Sequence, residues 1–407
     1  VLSTLNTELS DNLTLTAGLD GRYYVGSHYY SITDLLGGEY YLNPSSNDNN
    51  KNTALKVGDR FNRDYEGRVL RYGTFAQLEY SQDALSVFLS SSISNTRYGR
   101  SSFLDDSSNP NGNVSDNANF LGYGIKGGAN YNATDASNFF MNAGFISRQA
   151  QFGAVFPSYA NDINEDLENE EIRSVEFGYG YTANNLRINV NAYSTSWGNR
   201  FQTVSLSNAN GVDGTAQFRN IDVQHNGIEF EADYMATDKL RLKAMTSFGD
   251  WRYTKDFTAE LFDDNQALIG EGTLYLKGAK VGDAAQTTAY FSADYKVAKT
   301  TSIDLGLRLV DGLYADFSIV DDEFYAPDNR GAVKLPSYGL LDLGATTRLN
   351  KWTVRVNINN LLNTTYIAES NTSIHAEDGD ATWNGINTAN SVWFGFGRTW
   401  NASVRYN

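Results

Sequence analysis

Cysteine is absent from this 407-residue chain, proline occurs 5 times and histidine 3 times. Without cysteine there is neither a disulfide scaffold nor a thiol nucleophile. No apolar run approaches the roughly 20 residues that a membrane helix requires, and the mean hydropathy is −0.44. A helical membrane protein is therefore excluded. A membrane barrel is not, because its strands hide their apolar residues in alternation. Positive charge is also scarce, with 32 Lys and Arg against 48 Asp and Glu and a formal net charge of −16. That argues against nucleic acid, whose phosphates demand Lys and Arg. The opening Val1-Leu2-Ser3 has neither a basic nor an apolar leader, and the expectation is that any signal peptide has been removed.

What the chain does have is 26 Tyr, 22 Phe and 36 Gly, a β composition. Its length exceeds one average soluble domain. Two-faced segments recur throughout, among them Leu121-Tyr123-Ile125, Val175-Phe177-Tyr179, Leu186-Ile188-Val190, Ile228-Phe230-Ala232, Leu240-Leu242-Ala244 and Ile303-Leu305-Leu307. Alternation is the primary strand signal, and it predicts about 15 strands and no convincing helix. The closing stretch 392–407 reads as one such strand. Phe394, Phe396, Arg398, Trp400, Ala402, Val404 and Tyr406 share one face. Aromatics near both ends of an oily face suit a membrane-spanning strand with interfacial girdles. An edge strand of a soluble sandwich would look similar.

The connections separate the two readings. Short ones, such as Gln82-Asp83, Ala183-Asn184-Asn185, Thr237-Asp238-Lys239 and Asn350-Lys351, alternate with long segments near 24–67, 96–116, 148–170, 198–222, 255–282, 312–335 and 364–391. Short turns on one rim and long loops on the other is the pattern of an outer-membrane barrel, with turns in the periplasm. The final strand then descends from a long loop, which predicts a periplasmic C-terminus. The first strand, near Leu2–Leu9, enters a short turn. An even-stranded barrel cannot start that way, so an odd number of strands is expected before Val1.

The segment Asn359-Asn-Leu-Leu-Asn-Thr-Thr-Tyr366 resembles the "N-L-F-N-x-x-Y" near the end of TonB-dependent outer-membrane receptors. Gly397-Arg398-Thr399-Trp400 through Tyr406 resembles their closing strand. Val281–Gln286, Gly249–Arg252 and Pro336–Asp342 resemble family segments that flank strands. The resemblance implies an all-β, antiparallel transmembrane barrel of 22 strands, with residues 1–407 forming its C-terminal portion. The plug domain, its TonB box and the first strands would lie outside this sequence. It further implies TonB-dependent uptake of a scarce siderophore, cobalamin, oligosaccharide or peptide across the Gram-negative outer membrane. Implied partners are membrane lipid, lipopolysaccharide, TonB through the missing N-terminal region, and the barrel assembly machinery. The family closes on an aromatic where this chain has Asn407, so at least one further residue, a Phe, is expected. A passive porin, a structural barrel and a barrel enzyme are the alternatives.

Individual residues carry two readings each. Arg398 would lie near the outer interface, snorkelling to lipopolysaccharide phosphates, or turn into the lumen through a bulge. Glu229, Glu231 and Asp233 alternate with the oily residues of their strand and would face the lumen. They could contact a cationic cargo or pair with Arg241 and Lys243 on the neighbouring strand, and the pairing is favoured because such lumens are polar throughout. Loop aromatics, among them Tyr29, Tyr30, Phe156, Tyr159, Phe324, Tyr325 and Trp383, could form a stacking platform for ligand or hold the loops together. The loop 105–116 has calcium-type oxygen ligands without the spacing of a helix-loop-helix site, as do the acidic runs at 321–323 and 377–380, so solvated loops are favoured. His28, His225 and His375 lack metal-ligand spacing. No catalytic pair or cofactor motif stands out, and no enzyme activity, cofactor or metal is expected.

Overall fold

The computed structural model describes residues 1–407 apart from 44–51, 105–112, 158–160, 208–212, 264–266, 318–321, 380 and 407. Seventeen strands form one antiparallel sheet. They are β1 (Leu2–Ser10), β2 (Leu13–Ser31), β3 (Arg60–Gln82), β4 (Leu85–Ser102), β5 (Ala118–Thr134), β6 (Ser137–Arg148), β7 (Glu170–Ala183), β8 (Leu186–Ser207), β9 (Asp213–Thr237), β10 (Leu240–Tyr253), β11 (Phe257–Asp263), β12 (Leu268–Leu274), β13 (Thr287–Lys296), β14 (Thr301–Asp311), β15 (Tyr338–Leu349), β16 (Trp352–Asn359) and β17 (Thr399–Tyr406). Each pairs with its neighbour in sequence except around one insertion. There β10 pairs directly with β13, and the β11–β12 hairpin hangs from the far end of β9. The remaining fifteen strands are those that the alternation predicts. β1 and β17 are the two edges of the sheet.

Register sorts the two faces. Ala232 lies opposite Ile188 and Ala244, and Asp233 lies opposite Arg187 and Lys243. Oily residues therefore meet oily ones across strands and charged residues meet charged ones, as period-two side chains require. The oily face is open to its surroundings, with Phe177 55% exposed and Ile228 54%. Leaving one such side chain in water forfeits about 1.5–3 kcal/mol, so a face built of them needs an apolar solvent. At the short connections Asp83, Asn184 and Asn350 adopt positive φ, which Asp and Asn tolerate better than other non-glycine residues.

The long connections are more ordered than the sequence predicts. β2 and β3 remain paired out to Ser31 and Arg60, deep inside the segment read as a loop. The 255–282 segment holds the β11–β12 hairpin, and the 148–170 segment holds a one-turn helix at Phe152–Val155. Three buried apolar clusters sit among these extensions. The closing strand is also not continuous. Val392–Phe394 pairs with Ile367–Ser370 in a separate ribbon, and β17 starts only at Thr399. At the break the backbone packs closely on the Tyr366 ring, and a Cβ at Gly395 would clash with it. Asn363 Oδ1 then accepts the Arg398 N–H at 2.8 Å, which turns the chain into β17.

Candidate functional site

The inner face of β6, β7 and β8 carries a polar cavity of about 480 Å³ at its long-loop end. Trp197 is in phase with the inward Asn189 and Asn191, so alternation aims its indole to the inside. Its Nε1 donates to Glu170 Oε2 at 3.0 Å. Arg148, paired in register with Glu170, holds the same carboxylate with Nε at 3.1 Å. The Arg148 guanidinium lies 5.4 Å from the indole centre and that of Arg200 lies 5.0 Å from it, both within cation–π range. Arg200 is aimed by a bulge. The β8 register shifts between Trp197 and Arg200, Asn199 adopts φ 55°, and its N–H donates to Asp222 Oδ1 at 3.0 Å. Arg200 has no ion-pair partner among the described residues. Gln151 and Gln202 add amide groups to the lining. Two guanidiniums against Glu168 and Glu170 on an aromatic floor can receive a planar group with an acidic edge.

The loops above the wall are cross-tied. Arg330 donates from Nη1 and Nη2 to the two carboxylate oxygens of Asp378, both at 2.9 Å, and from Nε to Glu323 at 3.1 Å. The Arg330 charge and hydrogen bonds hold the Glu323 and Asp378 carboxyls below their usual range. Val333 N–H donates to Ser373 Oγ at 2.9 Å, and His375 Nε2 lies 2.9 Å from the Gly331 carbonyl oxygen. These bonds join the connection after β14 to the one after β16. Elsewhere Arg100 is buried against the Tyr65 ring at 4.4 Å, and burial pushes its guanidinium down to about 10.

A sheet of this size with an oily outer face and cross-tied loops at one rim has clear relatives. The family model described as "TonB dependent receptor-like, beta-barrel" matches residues 2–361. The chain belongs to the TonB-dependent receptor family. Its fold is similar to that of the copper transporter OprC (TM-score 0.66, 15% identity), covering 100% of this chain and 55% of that one. It is similar to the ferric-catecholate import receptor Fiu from E. coli (0.63, 13%), covering 99% and 53%. It is also similar to the FrpB iron transporter from Neisseria meningitidis (0.60, 16%), covering 99% and 54%. The receptor chain thus spans about half the length of these structures. No match is found among curated proteins.

Within the receptor wall, Glu229, Glu231 and Asp233 share the inner face with Arg241 and Lys243. Asp233 and Arg241 form a two-pronged ion pair, with Nε to Oδ1 at 2.7 Å. Lys243 instead lies 3.9 Å from Asp294 on β13. Glu229 and Glu231 have no ion pair among the described residues. Tyr29 and Tyr30 are exposed and lie under Arg60 at 3.8 Å and Arg63 at 5.1 Å. Tyr325 is exposed at the end of a short 3-10 turn. Trp383 is half-buried, edge-on to Phe394 at 5.3 Å, and packs on a loop cluster. Tyr159 and residues 105–112, 321 and 380 lie outside the described residues. Phe156 and Phe324 are not platform residues, because both are buried in loop clusters at 3% and 0% exposure. Arg398 lies in the break before β17 and is exposed, while Trp400 and Tyr406 line the outer face of β17. None of the expected residues lines the Trp197 cavity. Its signal was the phase of Trp197 with the inward asparagines.

Proposed function

We propose that this chain supplies the barrel wall, the extracellular loops and part of the ligand chamber of a receptor that takes up a scarce nutrient across the Gram-negative outer membrane, energised through TonB. The observation that carries this reading is the Trp197 cavity, which opens on the inner side of a wall whose outer side is oily. In our reading the short turns and the C-terminus face the periplasm, and residues 1–407 are the C-terminal portion of the barrel domain. Siderophore, cobalamin, oligosaccharide and peptide stay open as cargo, since the similar structures are named for copper, ferric catecholate and iron, and fold does not fix function. Transport rather than catalysis is supported by the histidines. His28 stacks on Tyr65, His225 meets Trp251 edge-on, and His375 binds a loop carbonyl. The exposed apolar edge at Trp400, Val404 and Tyr406 suits recognition by the barrel assembly machinery.

The test is nutrient-limited growth of a strain lacking the receptor, complemented with the full-length gene. Complementation should require TonB, and Arg148→Ala with Arg200→Ala should reduce uptake at limiting cargo. Uptake that persists without TonB contradicts the energised mechanism and favours a passive pore. A chain that stays soluble without detergent contradicts the membrane wall.

A further inference from the structure

We propose that a cavity between the β11–β12 hairpin and the 148–170 connection binds a linear aliphatic polyamine, held by Asp162, Glu165, Glu260 and Gln217. The site goes beyond cargo uptake and shares no lining residue with the Trp197 cavity.

Phase builds one wall of the cavity. At their long-loop ends β8, β9, β11 and β12 form a four-stranded extension of the sheet. Ala216, Phe218, Phe257 and Ala259 turn to one side and join the buried cluster there. Gln217 and Glu260 alternate with them, are partners in register, and turn to the other side. Glu271 on β12 is the next partner of Glu260, so two carboxylates stand directly opposite each other on that side. Like charges so placed repel, and a cation bound beside them would relieve the repulsion. The 148–170 connection brings Asp162, Glu165 and Asp166 to the same space of about 600 Å³, which Ile163, Phe262 and Leu268 also line.

The acidic charge there is not balanced. Arg219 is the one cation among the described lining residues. It is already engaged, with Nη1 donating to Asp166 at 3.0 Å and Nη2 to Asn164 at 3.1 Å, the latter 3.2 Å from Glu260. The Glu165 and Glu271 side chains have no partner among the described residues. One Glu260 oxygen is enclosed and lacks a hydrogen bond. Burial holds the Asp162 carboxyl above its ordinary range, which a neighbouring cation would reverse. Gln217 points to a ligand independently of the acids. It is 3% exposed, lines the cavity, and its amide has no hydrogen-bond partner among the described residues. A buried amide is unfavourable unless paired, and its carbonyl can accept from an ammonium group. The spacing selects the kind of cation. Among the described residues no three acidic or histidine side chains lie close enough together to hold a metal ion. Ammonium groups strung along a methylene chain can each meet a separate carboxylate, while the methylenes lie on Ile163, Phe262 and Leu268.

The test is calorimetric titration of the full-length receptor, purified in detergent, with spermidine. The wild type should bind spermidine saturably, and calcium chloride at matched ionic strength should not displace it. Glu165→Gln, which breaks no contact among the described residues, and Gln217→Leu should each weaken binding about tenfold, the effect of one hydrogen-bonding group to a charge. Asp328→Asn, at an exposed acid outside the cavity, should change nothing. The double variant Arg148→Ala with Arg200→Ala should bind spermidine as the wild type does. Loss of binding there would assign the polyamine to the Trp197 cavity and overturn this site. No saturable binding by the wild type, or displacement by calcium, overturns it too, and neither result needs a variant to fold. Unchanged affinity in a folded double variant of Glu165→Gln with Gln217→Leu does the same. Each of these failures leaves TonB-dependent growth, measured separately, as the test of uptake.

Discussion

The wall and the loop layer of this receptor solve burial in opposite ways. Along the wall, Phe177, Ile228, Phe291 and Leu305 stay exposed on one face, and charged residues occupy the other. In the loop layer, Phe218, Phe324, Leu276 and Leu335 are fully enclosed by residues from distant connections. The wall borrows its apolar solvent from the bilayer and needs only closed backbone hydrogen bonding. The loop layer stands in water and has to build an interior of its own. One chain therefore contains a membrane-type and a soluble-type solution, divided at the outer ends of the strands.

Substitutions should respect that division. Phe324→Ala empties a packed loop interior and should cost about 3–5 kcal/mol. The loss should read out as faster hydrogen exchange in the loops, with the wall unaffected. Equal acceleration in the wall would show that the two regions unfold as one. Phe291→Arg should cost about 2–4 kcal/mol of folding stability in lipid, because the charge enters hydrocarbon. Its neighbour Ser292→Arg points inward and should cost under about 1 kcal/mol, so urea titration of the pair in bilayers checks the face assignment. The Arg330 tie sits in the loop layer and should respond to pH. Glu323 and Asp378 are held below their ordinary 4.5 and 3.8. Its stabilisation is therefore complete above those values and is lost as pH falls through the lowered ones. Limited proteolysis of the 312–335 connection should accelerate on acidification in the wild type, and at neutral pH in Arg330→Gln. The smallest effect belongs to the inner wall. Arg355 binds Asp304 at 2.9 Å, with 41% and 29% of the two side chains exposed. Arg355→Gln should shift stability by less than about 1 kcal/mol.

The wall was legible from sequence and the loop layer was not, for a physical reason. Wall contacts are local in register. The alternation of Ile228 to Asp233 and the turn at Thr237-Asp238-Lys239 state which residues face lipid and which strand comes next. Loop contacts are made between remote segments, and Phe324 packs with Ala216 and Phe257, which no periodicity relates to it. A loop aromatic therefore looks the same whether it awaits ligand or fills a core. The Trp197 cavity falls between these cases. The phase of Trp197 was readable, but the bulge that aims Arg200 and the meeting with Arg148 depend on pairing. In sequence the closing motif reads as one strand, because neither the stacking of Gly395 on Tyr366 nor the Asn363 bond leaves a trace in alternation.

The central claim is that one face of this sheet meets lipid. Single cysteines placed in turn from Ile228 to Asp233, in a stretch free of native cysteine, can carry a spin label in reconstituted receptor. Oxygen, which partitions into lipid, should reach labels at Ile228, Phe230 and Ala232 best. A water-soluble nickel chelate should favour Glu229, Glu231 and Asp233. Access by the nickel chelate at all six positions alike, without alternation, would contradict the account.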